Sequence, residues 1–231
     1  MLGSMVLNYL SGVNGCEVET ISGRWPTEQF KKSLLEFSGD VVVNCIGAIP
    51  QRTSEFDINF ELPLWLDSNV SSRVIHAGTD CESDQDDYGI SKRKASEYLQ
   101  CHGQNTNIIK CSIIGPEVTG NEALLEWFLS SKSDVQGYSK QMWNGITTLQ
   151  WAKVCWNIIN DVEDFEKVTI PFSECISKFR LLSVIKEVYG KDITIHENDE
   201  IKINKCLKGN LPTPKIKDQL LELKEIHDAK Y

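Results

Sequence analysis

Asp40-Val41-Val42-Val43-Asn44-Cys45-Ile46-Gly47 and Arg73-Val74-Ile75-His76-Ala77-Gly78-Thr79-Asp80 are the two stretches whose reading decides the fold. Each is a β-branched, apolar run without polar alternation, the pattern of a strand buried on both faces, and each runs out into a turn of small residues. Amphipathic segments flank them. Glu28 to Phe37 places Phe30, Leu34 and Leu35 on one face and stops at Ser38-Gly39, and Asn59 to Ser68 and Tyr88 to Cys101 are also helical in period. A third strand, Asn107 to Ile114, is closed by Gly115-Pro116, and a short one is expected at Glu17 to Ile21. Strands alternating with helices predict an α/β fold, a doubly wound parallel sheet.

After Pro116 the texture changes. Helices are expected at Glu122 to Leu129, Thr148 to Ile159, Lys178 to Val188 and Lys215 to Ala229, with short strands at Val168 to Ile170 and Ile193 to His196. The domain reading is therefore 1–115 for the parallel-sheet domain and 116–231 for a smaller α+β lobe, with a strand near 168–171 free to return to the main sheet. The N-terminus is unusual for such a fold. A nucleotide-binding α/β domain opens on a strand, a Gly-rich turn and a helix whose N-terminus meets the phosphates, whereas Met1-Leu2-Gly3-Ser4 leads directly into a helix at Met5 to Leu10. The expectation is a domain short of its first strand and most of its phosphate turn.

Composition narrows the function. The 231 residues carry 24 Lys and Arg against 33 Asp and Glu, a formal charge of -9, with 41% hydrophobic residues. An acidic chain with a pI near 5.0 lacks the basic face that nucleic acid demands, so nucleic acid is excluded as a partner. No stretch approaches the ~20 apolar residues of a membrane span, and no membrane partner is expected. The eight cysteines (Cys16, Cys45, Cys81, Cys101, Cys111, Cys155, Cys175 and Cys206) are scattered without Cys-x-x-Cys pairs. They read as reduced thiols of a cytoplasmic protein, with no metal site.

Chemistry concentrates at Tyr88-Gly89-Ile90-Ser91-Lys92, where a phenol and an ammonium four residues apart share a helix face. A nearby lysine charge is expected to lower the phenol pKa and fit it for proton transfer; a surface Tyr and Lys give the same spacing. Thr79 ends its strand at the edge where open α/β sheets place ligands, either to hydrogen-bond a carbonyl or to cap its own loop. Arg24 is a candidate for a 2'-phosphate, His76 reads as a satisfied core histidine, and Trp143 beside Asn144 reads as the tryptophan that touches substrate. The loop Asp80-Cys81-Glu82-Ser83-Asp84-Gln85-Asp86-Asp87 reads as solvated and acidic.

In this order the motifs resemble the extended short-chain dehydrogenase/reductases, and within them the dTDP-4-dehydrorhamnose reductase branch. Gly3 is similar to the last glycine of that family's turn, Asn44 to Ala48 to its cofactor-side segment, and Asn59 with Leu62-Pro63 to its Asn-x-x-x-Pro helix. Thr79-Asp80 followed by Tyr-x-x-x-Lys resembles its active site, Cys111-Ser112-Ile113-Ile114-Gly115-Pro116 the strand over the nicotinamide, and Trp143-Asn144-Gly145-Ile146-Thr147-Thr148 part of the substrate lobe. The resemblance implies a Rossmann-like fold and NADPH-dependent (or NADH-dependent) reduction of a 4-keto-6-deoxy nucleotide sugar. Tyr88, Lys92 and Thr79 would be catalytic. Gly3, Arg24, Cys45, Gly47, Ala48, Tyr88, Lys92 and Ser112 would hold the cofactor, and Thr79, Asp80, Trp143 and Asn144 the nucleotide sugar. A homodimer is left open. The chain departs from the pattern at Gly78, where the family has Ser, and in its short acidic loop. The other readings are a degenerate member that binds without turnover, and an incomplete gene product.

Overall fold

The structure, a computed structural model, describes residues 1–228. Two compact units divide it: one comprises Leu7–Lys110 and Cys155–Thr169, the other Met1–Val6, Cys111–Val154 and the chain from Ile170. The chain opens on helix α1 (Leu2–Ser11), followed by α2 (Glu28–Glu36), β1 (Val41–Asn44), α3 (Ile58–Asn69), β2 (Arg73–Gly78), a 3-10 turn (Asp80–Ser83), α4 (Asp87–His102) and β3 (Thr106–Lys110).

In the first unit β1, β2 and β3 pair in parallel, and the strand Val168–Thr169 adds beside β3, giving the order β1-β2-β3 and then that strand among the described residues. The register sets Asn44 beside His76, His76 beside Ile108, and Gly78 beside Lys110. Val74, Ile75, Ile108 and Ile109 are fully buried, as the unbroken apolar runs require. On one face α2 and α3 bring Phe30, Leu34, Leu62, Leu66 and Val70 onto Val74, each side chain contributing about 1.5–3 kcal/mol of hydrophobic burial. Helix α2 starts at Thr27, whose hydroxyl accepts the Phe30 N–H. The strand expected at Glu17 to Ile21 does not form, and the segment is mostly exposed coil. Val18 and Ile21 favour a strand, but Glu17, Glu19 and Thr20 leave little apolar surface to dock one, and among the described residues the segment pairs with no strand.

The second unit is built from short strand pairs. Ile113–Ile114 lies parallel to Ile146–Thr147, and Gln141–Trp143 runs between Ile176–Ser177 and Ile203–Asn204. Val135–Tyr138 pairs with Ile195–Asn198, and Pro171–Phe172 with Leu211–Pro212. Helices α5 (Leu124–Ser130), α6 (Thr148–Ile159), α7 (Lys178–Tyr189) and α8 (Ile216–Asp228) complete the chain; α6 crosses from one unit into the other. Helix α7 is capped by Ser177 and ends at Gly190, whose φ of 66° is the left-handed conformation that glycine supplies without strain. The expected end of the last helix at Ala229 lies outside the described residues.

One expectation is corrected here. Cys175 and Cys206 are joined in a disulfide, with Cα atoms 5.9 Å apart, while the other six cysteines carry none. Sequence spacing had no access to this pair, because 31 residues separate the two and the fold alone brings them together.

Candidate active site

The carboxyl end of β2 passes directly into a capped turn. The Thr79 hydroxyl accepts the Cys81 N–H at 3.3 Å, and Glu82 accepts the Thr79 N–H at 3.1 Å, a reciprocal capping box. Glu82 is 3% exposed and also accepts from Ser96 Oγ at 2.8 Å and from Lys110 Nζ at 2.8 Å. Asp80 is buried as well and accepts from Thr79 Oγ1 at 3.2 Å. The acidic loop is therefore not a solvated strip: Asp80 and Glu82 point inward, and Asp86 accepts the Gly89 N–H at 2.6 Å as the N-cap of α4. A burial penalty this large is offset only because every inward oxygen named here has a donor.

Capping by Asp86 places Tyr88 in the first turn of α4 and Lys92 one turn on. The close approach of that turn to the 3-10 turn depends on Gly89, where a Cβ would stand 2.4 Å from the Cys81 carbonyl oxygen. Tyr88 meets Phe56 edge to face at 5.8 Å and lies near enough to Thr79 for that side chain to favour its ionised form. Of the two roles its position allowed, Thr79 fills the cap of its own turn.

The lysine behaves differently from the sequence expectation. Burial pushes the Tyr88 phenol up to about 12; the Thr79 side chain opposes this, while Cys81, Asp80 and Glu82 add to it. Lys92 does not lower it, because its Nζ is directed inward, donating to the Ala77 carbonyl at 2.6 Å and lying 3.3 Å from His76 Nε2. Burial lowers Lys92 to about 8 despite the opposing charge of Glu82. His76, 1% exposed, is the satisfied core histidine that the sequence suggested, and burial followed by the Lys92 charge holds its pKa well below the usual range.

The segment after β1 is fixed by Asn59 of α3. Its Oδ1 accepts the Ala48 N–H at 2.7 Å, and its Nδ2 donates to the Ala48 carbonyl at 3.0 Å and to Ser91 Oγ at 3.2 Å. Gly47 is exposed and lies so close that a Cβ would stand 3.2 Å from Asn59 Oδ1; Cys45 is half-buried. The same unit thus assembles Thr79, Asp80, Tyr88 and Lys92 with Cys45, Gly47 and Ala48 near the strand ends. Arg24 sits in an exposed turn before α2, where its carbonyl accepts from Thr27.

The remaining candidates belong to the second unit. Gly3 is exposed in the first turn of α1. Trp143 is 2% exposed in a strand rather than a loop; its Nε1 donates to Ser112 Oγ at 2.8 Å, and Lys178 lies over its ring. Asn144 is buried with both ends of its amide on Leu207, accepting the N–H and donating to the carbonyl, each at 2.9 Å. Packing thus uses the polar groups of Trp143, Asn144 and Ser112 within the lobe, and Trp143 lies in a strand where the sequence suggested a loop. The sequence reading gave no individual role to Asn44, a polar residue ending an apolar run, or to Glu82, whose Thr-x-x-Glu spacing from Thr79 is a readable capping signal. Among the described residues no group of three acidic, His or Cys side chains could hold a metal, and no helix is long and apolar enough to cross a membrane.

No family model matches the chain, and no curated protein matches it by sequence. Solved structures do match by fold. The RMD protein of Pseudomonas aeruginosa, solved with NADPH, superposes with a TM-score of 0.70 at 12% identity, covering 100% of this chain and 96% of that one. A dTDP-4-dehydrorhamnose reductase of Yersinia enterocolitica gives 0.69 at 13%, covering 96% and 94%. A UDP-N-acetylglucosamine 4-epimerase of Bacillus cereus gives 0.66 at 14%, covering 99% and 93%. The fold is the Rossmann-like fold of nucleotide-sugar reductases and epimerases, a framework that hosts more than one reaction.

Proposed function

We propose that the chain is an NAD(P)H-dependent reductase of a 4-keto-6-deoxy nucleotide sugar, acting in the cytoplasm in carbohydrate biosynthesis. The observation that carries this reading is the placement of Thr79 at the carboxyl end of β2 and Tyr88 in the first turn of α4, with buried Lys92 one helical turn beyond. Open α/β sheets present ligands at that edge. The donor set fits the reacting end of a nicotinamide and a ketone: two hydroxyls, a buried amine, and a backbone segment at Gly47-Ala48 held flat by Asn59. A reduced nicotinamide, when bound, supplies hydride. The protein's part is to orient the ketone and supply the proton. Tyr88, neutral because burial holds its pKa near 12, donates to the oxygen as its negative charge develops, and Thr79 steadies that oxygen by turning its one proton from Asp80 Oδ1 onto it.

A second reading, binding without turnover, is favoured by one observation: the Lys92 Nζ is committed to Ala77 and His76. The two readings separate on Tyr88→Phe. Oxidation of NADPH in the presence of a dTDP-4-keto-6-deoxyhexose, abolished in Tyr88→Phe with NADPH affinity retained, supports the reductase. Cofactor binding without oxidation in the unaltered chain establishes the binder, and no NADPH binding by the folded chain overturns the reductase reading.

A further inference from the structure

Three polar side chains meet in the interior behind the candidate site: Asn44 at the end of β1, His76 in β2 and Lys92 in α4, exposed by 4%, 1% and 6%. Their hydrogen bonds can be counted from the backbone inward. Asn44 Oδ1 accepts the Ile46 N–H at 3.0 Å, which fixes the amide, so its Nδ2 end is the one that faces His76 Nδ1 at 3.1 Å. An amide nitrogen only donates, and so His76 Nδ1 accepts. A neutral ring that accepts at Nδ1 carries its proton on Nε2, and that N–H points at Lys92 Nζ, 3.3 Å away. An ammonium there would set donor against donor. An amine resolves the conflict, with its lone pair on the His76 N–H and one of its own protons on the Ala77 carbonyl at 2.6 Å.

We propose that His76 is a positioning residue for Lys92: oriented by Asn44 as the Nε2–H tautomer, it donates to Nζ of the neutral amine and so makes the Lys92 ammonium give up its proton more readily. Forming the ammonium takes one proton from solvent and breaks the His76 contact. Other neighbours do not dictate the state. Glu82, from the 3-10 turn, draws Lys92 toward the charged form but is already paired with Lys110 of β3 and with Ser96. Asp80 is occupied by Thr79, and β1 presents the uncharged Asn44. Desolvation acts in the same direction as the His76 contact.

The consequence for turnover rests on the reductase reading. There Lys92 stands beside the cofactor, and the His76 contact sets the pH at which kcat/KM breaks with the Lys92 titration; the tautomer itself does not depend on that reading. The test is NMR on the labelled chain. Long-range proton–nitrogen correlations of His76, assigned by difference against His76→Phe, should show a protonated Nε2 and a bare Nδ1. The Lys92 side-chain signals should titrate well below the ordinary lysine range, and in His76→Phe the midpoint should rise by about one pH unit, tenfold in the protonation equilibrium. A protonated Nδ1, or an unshifted Lys92 midpoint in a folded His76→Phe, overturns the proposal. If His76→Phe does not fold, the tautomer in the unaltered chain decides alone. The expected tautomer in a chain without reductase activity sinks the reductase reading and leaves the role of His76 standing; active enzyme with a protonated Nδ1 does the reverse.

Discussion

Asn59 closes on Ala48 with both ends of its amide, reproducing with one side chain the paired N–H and C=O contacts of a neighbouring strand. Ala48 follows β1, whose pairing in the sheet is with β2, so the amide supplies bonds that no strand provides. Replacing Asn59, 1% exposed, by Leu strands the Ala48 polar groups and should destabilise the chain by about 2–4 kcal/mol. Urea unfolding followed by circular dichroism measures it. An unchanged midpoint would mean that water replaces the amide.

Thr79 should separate into two effects. Thr79→Val removes the cap acceptor and the hydroxyl beside Tyr88, costing about 1 kcal/mol of stability and, in the reductase reading, about 10–100-fold in kcat. Thr79→Ser keeps the hydroxyl and should recover both. If Ser and Val behave alike in unfolding and turnover assays, the hydroxyl has no role.

Lys110 neutralises Glu82, whose side chain is 2% exposed against 25% for the lysine. Lys110→Met leaves that buried carboxylate with neutral donors alone and should cost about 3 kcal/mol. Adding Glu82→Gln to Lys110→Met should return part of the loss, because the charge goes with it. A double-mutant cycle read by denaturant midpoints gives the coupling, and purely additive losses would contradict it.

Lys92 makes stability depend on pH in a stated direction. Burial lowers its pKa from 10.5 to about 8, so between those values the unfolded chain binds the proton and the folded chain does not. Unfolding free energy should therefore gain from Lys92 as pH rises from about 8 toward 10.5, by up to about 3 kcal/mol, and a Lys92→Met variant should lack the slope. Equal slopes in the two proteins from pH 8 to 10 would show that Lys92 titrates normally. Above that window Tyr88 acts oppositely, since its raised pKa favours the neutral phenol that the unfolded chain gives up first.

The Cys175–Cys206 bond should be visible by counting. Alkylation of the denatured, unreduced chain should label six of the eight cysteines, and all eight after a dithiol reductant. Reduction should cost about 3–4 kcal/mol, from the loop of 31 residues it closes. Labelling of all eight without reductant would remove the bond.

The parallel core was legible because Val41–Asn44 and Arg73–Gly78 show by their own composition that they are strands; Val74 and Ile75 are fully buried as expected, while Val41 to Val43 at the sheet's edge are half-buried. Helix α6 matched its expected range from Thr148 to Ile159 for the same local reason. What could not be read depends on pairing at a distance. Glu17 to Ile21 has strand residues but, among the described residues, pairs with no strand, and Asp80 and Glu82 look solvated until Thr79, Ser96 and Lys110 are seen to meet them. The Tyr88–Lys92 spacing correctly put both groups on one helix. It could not show which way the lysine end turns, since that is decided by His76 and Ala77 on another element.

At Thr79 a single hydroxyl caps a turn and lies beside the phenol on which the chemistry is proposed to depend. No substitution there can be purely kinetic or purely structural. A drifting sequence would therefore keep this residue for folding long after turnover ceased to matter, and a designer who wished to retune the chemistry would have to rebuild the turn first. The position is poor ground for variation, and a threonine found there is by itself weak testimony that the chain still reacts.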